Sequence, residues 1–367
     1  MRRAIETLLL SSLLMLTTIG CGRDTSEDVA EATLGDDAQE GGDSNIDETL
    51  GEDDVAAREE QPVASRTRRF RFDYGFTLTG LKPGQKPRVW LPIPASNEAQ
   101  TVQLGTQRVP VAAETHVEKK YGNRILYLEP EVTTAGDLTF DVAYDIERRE
   151  VTAGKTETAA DPETSKATDP AKLFLAANTN VPIDGKPLEL VQGVTLHNDL
   201  VERAKQLYNI VDQHVTYKKE GTGWGRGDVL WVCDSKYGNC TDFHSLFISL
   251  TRAQGLPAKF EIGFLIPTDA KAGKIGGYHC WGWFHVAGRG WLPVDISEAD
   301  KHPELKDYYF GNLTPDRVMF TVGRDIELEP KQDGPPLNFF VYPHVELDGQ
   351  PLPREQIQLR FSYADSE

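Results

Sequence analysis

Cys240, His279 and Asp295 carry the three side-chain types that nucleophilic acyl transfer requires. Such chemistry needs a nucleophile, a base that takes its proton and returns one to the leaving group, and a third group that fixes the base's tautomer. Cys240 offers the sulfur, His279 the imidazole and Asp295 the carboxylate. The residues around Cys240 favour its anionic form. Asn239 is a good helix N-cap, and Asp242 three residues on completes a capping-box pattern. Phe243, Leu246, Phe247 and Leu250 then recur at i, i+3, i+4 and i+7, which predicts a helix with one buried face. Gly255 and Pro257 stop it. Cys240 therefore falls in the first turn, where unpaired amides and the dipole favour a thiolate and offer donors to an oxyanion. A small buried hydrophobe at a helix end is the plain alternative.

Strands must bring the other two residues to this helix. Ala258 to Ile266 reads as a strand, and Tyr278 to Val286 alternates so that His279, Trp281, Trp283 and His285 share one face. A Gly-containing turn, Ala287 to Gly290, leads into Trp291-Leu292-Pro293-Val294-Asp295. An odd-numbered loop centred near Ala287 sets Asp295 across from His279; a two-residue turn at Gly288-Arg289 breaks that register.

Gly238-Asn239-Cys240-Thr241-Asp242, Gly255-Leu256-Pro257-Ala258, His279-x-Trp281 and Gly290-Trp291-x-Pro293-x-Asp295, in this order, resemble the transglutaminase-like superfamily. With its flanks the resemblance covers residues 173–349. It implies an α+β fold: a papain-like transglutaminase core in which the helix bearing the nucleophile packs on an antiparallel sheet carrying the His and Asp. It also implies catalytic roles for Cys240, His279 and Asp295, a protein or peptide substrate, and no cofactor. Many members carry an acidic residue four positions after the His, where this chain has Trp283. Hydrolysis of a peptide or amide through a thioester is slightly favoured. Protein-glutamine crosslinking is the alternative, and a catalytically idle peptide or cell-wall binding module is the reading from another class.

The same residues admit rival assignments. Cys240 and His244 are i, i+4 on the helix, with Cys233, His279 and Cys280 near in sequence, so a zinc site is conceivable. No closed CxxC pair accompanies them. His244 is a second candidate base, or a satisfied core histidine one helix turn along. Cys233 and Cys280 can form a disulfide in an oxidising compartment, which would leave Cys240 free. Of the tryptophans, Trp281 and Trp291 read as structural and Trp224, in a glycine-rich loop, as a cleft-rim residue. No Asp/Asn-rich calcium loop is present.

Upstream, Phe70, Phe72, Tyr74, Phe76 and Leu78 alternate with polar residues and glycine, and further short strands are separated by turn signals up to Arg149. This predicts a small β-sandwich domain over residues 67–150, which also resembles the β-domain that often precedes the transglutaminase core. Residues 151–170 read as a linker and 171–367 as the catalytic domain with C-terminal strands. The strands expected at 338–342 and 356–363 would extend its sheet or form a small additional one.

The formal net charge is −18, which excludes general nucleic-acid binding. Residues 22–66 hold 15 acidic side chains against Arg23, Arg58 and Arg66, so −12 of that charge sits in one stretch. Too few apolar residues occur there to offset ordering entropy, and a disordered acidic tether over 21–66 is expected. Residues 1–20 read as a signal peptide: Arg2-Arg3, a short Leu-rich core and Gly20. Cys21 follows Gly20 as in a bacterial lipobox, which implies an exported, membrane-anchored lipoprotein held by an acyl group on Cys21 and facing the periplasm or cell exterior. An ordinary cleaved signal is the simpler reading.

Overall fold

In the computed structural model, residues 66–153 and 170–366 are described. The signal segment, Cys21, nearly all of the acidic tether and most of the linker lie outside these residues. Six strands come first: β1 (Thr67–Leu81), β2 (Arg88–Ile93), β3 (Gln100–Arg108), β4 (Glu114–Val117), β5 (Arg124–Leu128) and β6 (Gly136–Arg149). After α1 (Pro170–Leu173) follow α2 (Leu200–His214), β7 (Thr216–Tyr217), α3 (Val229–Ser235), β8 (Tyr237–Gly238) and α4 (Cys240–Ala253). Next are β9 (Ala258–Leu265), β10 (Ala272–Lys274), β11 (His279–Val286), β12 (Gly290–Val294), α5 (Ile296–Lys301) and β13 (Arg317–Val322). The chain ends with β14 (His344–Leu347), β15 (Gln350–Pro351) and β16 (Ile357–Asp365). The fold is mixed and rich in sheet.

Two five-stranded sheets, ordered β10-β16-β1-β6-β3 and β15-β14-β2-β5-β4, contain the N-terminal strands. The alternation in β1 buries Phe70, Phe72, Tyr74, Phe76 and Leu78 on one face. The last strands neither extend the β12-β11-β9-β13 sheet nor form a separate one. β16 pairs antiparallel with β1, setting Phe361 opposite Tyr74 and Tyr363 opposite Phe72, and β14 pairs with β2. Aromatic cross-strand pairs on a buried face supply the reason. Residues 338–342 form no strand, because their carbonyls serve side chains instead: Tyr74 Oη donates to Val341 O at 3.0 Å, and Thr321 Oγ1 donates to Phe340 O. Val151, expected in the linker, is buried and pairs with Leu313 in a two-way bridge.

The third sheet, β12-β11-β9-β13, positions the site. α4 packs on β11 and β9, with α2, α3 and α5 against it. α4 is buried on nearly every side, not on one stripe, because its polar residues hydrogen-bond inward. Phe264 of β9 and Phe320 of β13 meet Phe72 of β1 at ring-centroid distances of 5.0 and 5.4 Å, so this sheet and the first five-stranded sheet share one apolar core.

Candidate active site

The start of α4 is built as its sequence predicts. Asn239 Oδ1 accepts from the Thr241 amide at 2.9 Å, and Asp242 Oδ2 accepts from the Asn239 amide at 2.8 Å. Asp242 does more than cap. Its carboxyl also accepts from the amides of Gly225 and Gly227 at 2.7 and 2.9 Å, which ties the glycine-rich loop to the helix. Gly227 adopts φ +58°, and a Cβ there would stand 2.2 Å from Ser245 Oγ. Burial pushes Asp242 up to about 7 against the pull of those amides. Half-buried Trp224 directly precedes this clamp, which holds the Cys240 end of the helix.

Tyr278 fixes the residue next to His279. Its hydroxyl accepts from Asn239 Nδ2 and Thr241 Oγ1, both at 2.9 Å, and donates to Gly225 O at 3.3 Å. The strand entering His279 is therefore bound to the turn that presents Cys240.

The β11–β12 hairpin turns about Gly288, one residue later than expected, with Trp283 opposite Pro293 and Val286 opposite Gly290. Gly288 and Gly290, at φ +79° and +73°, supply the left-handed backbone that the turn needs. In this register Asp295 projects opposite Trp281, not His279. The loop remains odd-numbered, so parity keeps Asp295 on the face of His279, and it reaches the imidazole diagonally from just beyond β12. His279 Nε2 donates to Asp295 Oδ2 at 2.8 Å, and both side chains are buried.

Asp295 is also the N-cap of α5. Oδ1 accepts from Ser297 Oγ at 3.1 Å and from the Glu298 amide at 3.2 Å. Oδ2 takes a second, charged donor, Arg317 Nη1 at 2.9 Å. Arg317 is wholly buried, and its guanidinium lies 5.0 Å from the Trp281 ring centre. Sequence reasoning missed Arg317; the available signal was a lone cation opening the apolar run Arg317-Val318-Met319-Phe320.

These contacts set the charges. Burial opposes ionisation of Asp295, yet the positive charge and hydrogen bond of His279, with Arg317 behind, hold its carboxyl well below the usual range. Burial likewise disfavours the imidazolium, but Asp295 and then Cys240 raise His279 to about 9. Burial alone would raise the Cys240 thiol. Hydrogen bonds from Cys280 and His279, and the imidazolium charge, bring it well below its ordinary value. Because His279 Nε2 serves Asp295, Nδ1 is the nitrogen left for the sulfur. These directions favour a thiolate at Cys240 and an imidazolium at His279, with the Asp295 carboxylate on the other side of the ring.

The rival assignments fare differently. His244 is buried, and its Nε2 accepts from the Ile296 amide at 3.0 Å. Burial lowers its pKa, which favours the neutral ring, and Nε2 is already occupied by that amide, as in a satisfied core histidine. Cys233, Cys240 and Cys280 are free thiols; Cys280 contacts Thr241 and His244 on α4 and forms no disulfide with Cys233. Among the described residues, no three His, Cys, Asp or Glu side chains gather as a metal site. Trp281 is fully buried and donates from Nε1 to Glu261 Oε2 at 2.8 Å, the structural role expected of it.

Comparison with known proteins gives residues 189–296 as a match to the transglutaminase-like superfamily. An uncharacterized protein of Haemophilus influenzae is 26% identical over 320 residues, covering 77% of this chain and 87% of its own length. Among solved structures, a candidate cysteine protease from Cytophaga hutchinsonii is 15% identical with a TM-score of 0.49, covering 82% of this chain and 99% of that one. The periplasmic domain of TgpA from Pseudomonas aeruginosa is 15% identical with a TM-score of 0.33, covering 65% and 90%.

Proposed function

With residues 189–296 belonging to the transglutaminase-like superfamily, we propose that this protein is a thiol-dependent enzyme that breaks peptide or amide bonds through Cys240, His279 and Asp295. The observation that carries the reading is the 2.8 Å His279–Asp295 hydrogen bond beside a sulfur at a helix N-terminus. Attack of the Cys240 thiolate on a carbonyl forms a C–S bond and an oxyanion, which the Cys240 amide in the first turn of α4 is suited to receive. The His279 imidazolium gives its proton to the departing amine as the C–N bond breaks, leaving a thioester. Neutral His279 then takes a proton from water, whose oxygen attacks the thioester; collapse releases the acid and restores thiolate and imidazolium. Asp295 holds the ring and favours its charged form throughout.

Packing of α4 on β11 and β9 supports a papain-like core, and the two five-stranded sheets support a sandwich joined to it. Water is the favoured acceptor. Offered a glutamine peptide with and without a primary amine, the enzyme is expected to yield the hydrolysed acid in both, read by mass spectrometry, with no turnover in Cys240→Ala. An amine adduct as the main product would reassign it to crosslinking, and absence of any product with a broad peptide set would favour a binding module. Among the described residues no helix is long and apolar enough to cross a membrane. From the sequence of residues 1–21 we further propose export and an acyl anchor on Cys21. Cys21→Ser is expected to move the protein to the soluble fraction, and unchanged membrane retention would refute the anchor.

A further inference from the structure

We propose that the buried guanidinium of Arg148, where β6 meets β13, is a binding site for a small monovalent anion, chloride in ordinary salt.

Strand register puts Arg148 there. It pairs with Arg68 of β1 on one side and Gln100 of β3 on the other, so the three side chains share one face. Both neighbours are tied to the start of β13. Gln100 Nε2 donates to Met319 O and Gln100 Oε1 accepts from the Met319 amide, each at 2.9 Å. Arg68 Nη1 donates to Asp316 Oδ1 at 3.0 Å. Arg148, the middle member of the row, is thereby held against the stretch from Asp316 to Met319, which includes Arg317.

Both arginines are buried, at 1% and 0% exposure, and both keep donors in reserve. Arg148 Nη1 donates to Gln100 Oε1 at 3.2 Å, whereas Nε and Nη2 have no partner among the described residues. Those two nitrogens form one edge of the guanidinium, and their parallel N–H bonds make a fork that grips an anion at two points. Arg317 gives Nη1 to Asp295 and Nη2 to Thr314, and its Nε is likewise without a partner among the described residues.

Charge points the same way. Arg68 is answered by Asp316 and Asp365, and Arg317 by Asp295, which His279 shares. Glu261 is near enough to act on Arg148, but its oxygens accept from Lys259 Nζ and Trp281 Nε1, each at 2.8 Å. Burial, and then the Arg317 charge, draw Arg148 down to about 9, so it stays a cation at neutral pH. A charge taken out of water without a counter-charge is strongly unfavourable, and an anion on the Nε–Nη2 edge supplies one. One negative charge suffices, and a divalent oxyanion would lose far more hydration on entering. The ligand class is therefore a small monovalent ion: chloride, bromide or nitrate.

The test is thermal unfolding of the full chain in sodium gluconate, chloride or bromide at one ionic strength, which holds screening constant. Relative to gluconate, chloride and bromide are expected to raise Tm by about 2 °C or more, with a saturating dependence on concentration. Arg148→Met, which removes the charge and keeps a long side chain, is expected to abolish the difference between salts. A bromide-soaked crystal of the wild-type chain gives a check that needs no variant. It is expected to show an anomalous bromine peak at hydrogen-bonding distance from Arg148 Nε and Nη2. Equal Tm in all three salts, a halide response that persists in folded Arg148→Met, or water in place of bromine at that edge would overturn the inference.

Discussion

His279 keeps its proton to about pH 9 because, against the cost of burial, Asp295 accepts from it and remains ionised beside it. The imidazolium is therefore present below that pH and lost above it. The rate of acylation is expected to fall on the alkaline side with a midpoint near 9, read from kcat/KM against pH. A midpoint at an ordinary histidine value would show that the pair does not control the reaction. Arg317 makes a separate demand. It shares Asp295 Oδ2 with His279, so truncating it leaves a buried carboxylate with one cation fewer. Arg317→Met is expected to lower unfolding free energy by about 3–5 kcal/mol in urea titration. The sign with pH follows from the depressed Asp295 pKa: this contribution is full above the usual carboxyl range and disappears as pH falls through the lowered value. Cys240, His279 and Asp295 stood out in the sequence because reactive residue types sat in recognisable local patterns. Arg317 and Cys280 did not, since Asp295 and His244, which they meet, lie 22 and 36 residues away and no spacing announces them.

At the scale of single elements, the first turn of α4 depends on Asp242, whose two carboxyl oxygens accept three backbone amides. Asparagine has one acceptor oxygen and would turn an N–H₂ toward at least one of those amides. Asp242→Asn is expected to cost about 1–3 kcal/mol and to raise the apparent pKa for Cys240 labelling, because the helix end loosens. Asn239→Ala is expected to cost about 1 kcal/mol, the usual worth of an N-cap. Equal stability for both variants by thermal melting would show that the loop clamp contributes nothing beyond the cap. The cap and stop of α4 were legible in the sequence because they are set by neighbours within four residues. The β11–β12 register was legible only to parity. Which of Ala287 or Gly288 centres the loop depends on where left-handed backbone is tolerated and on how β9 pairs with β11.

For the whole molecule, the decisive feature is that the ends of the described chain meet. β1 sits between β6 and β16, so its hydrogen-bonding edges are satisfied by residues up to almost 300 positions apart. Ending the chain at Pro353 would strip β16 from β1 and expose Phe72 and Tyr74, which now pack beside Phe361. That truncation is expected to abolish the cooperative thermal transition and to drive the protein into aggregates on gel filtration, because an uncovered apolar strand edge templates association. A soluble, cooperatively melting fragment would mean that the C-terminal strand is only decoration.

The sequence by itself determined the period-two strands, the capped helix, the choice of three candidate residues and the acidic character of the N-terminal stretch. Each follows from propensity, periodicity or charge within a window of about 10–15 residues. The tertiary structure alone decided that β14 and β16 return to the first strands, that Asp295 serves His279 and Arg317 through one oxygen, and that Cys280 lies against Thr241 and His244 of α4. Those outcomes turn on which distant surfaces can bury one another and which buried polar atoms then find partners, a competition that no local window contains.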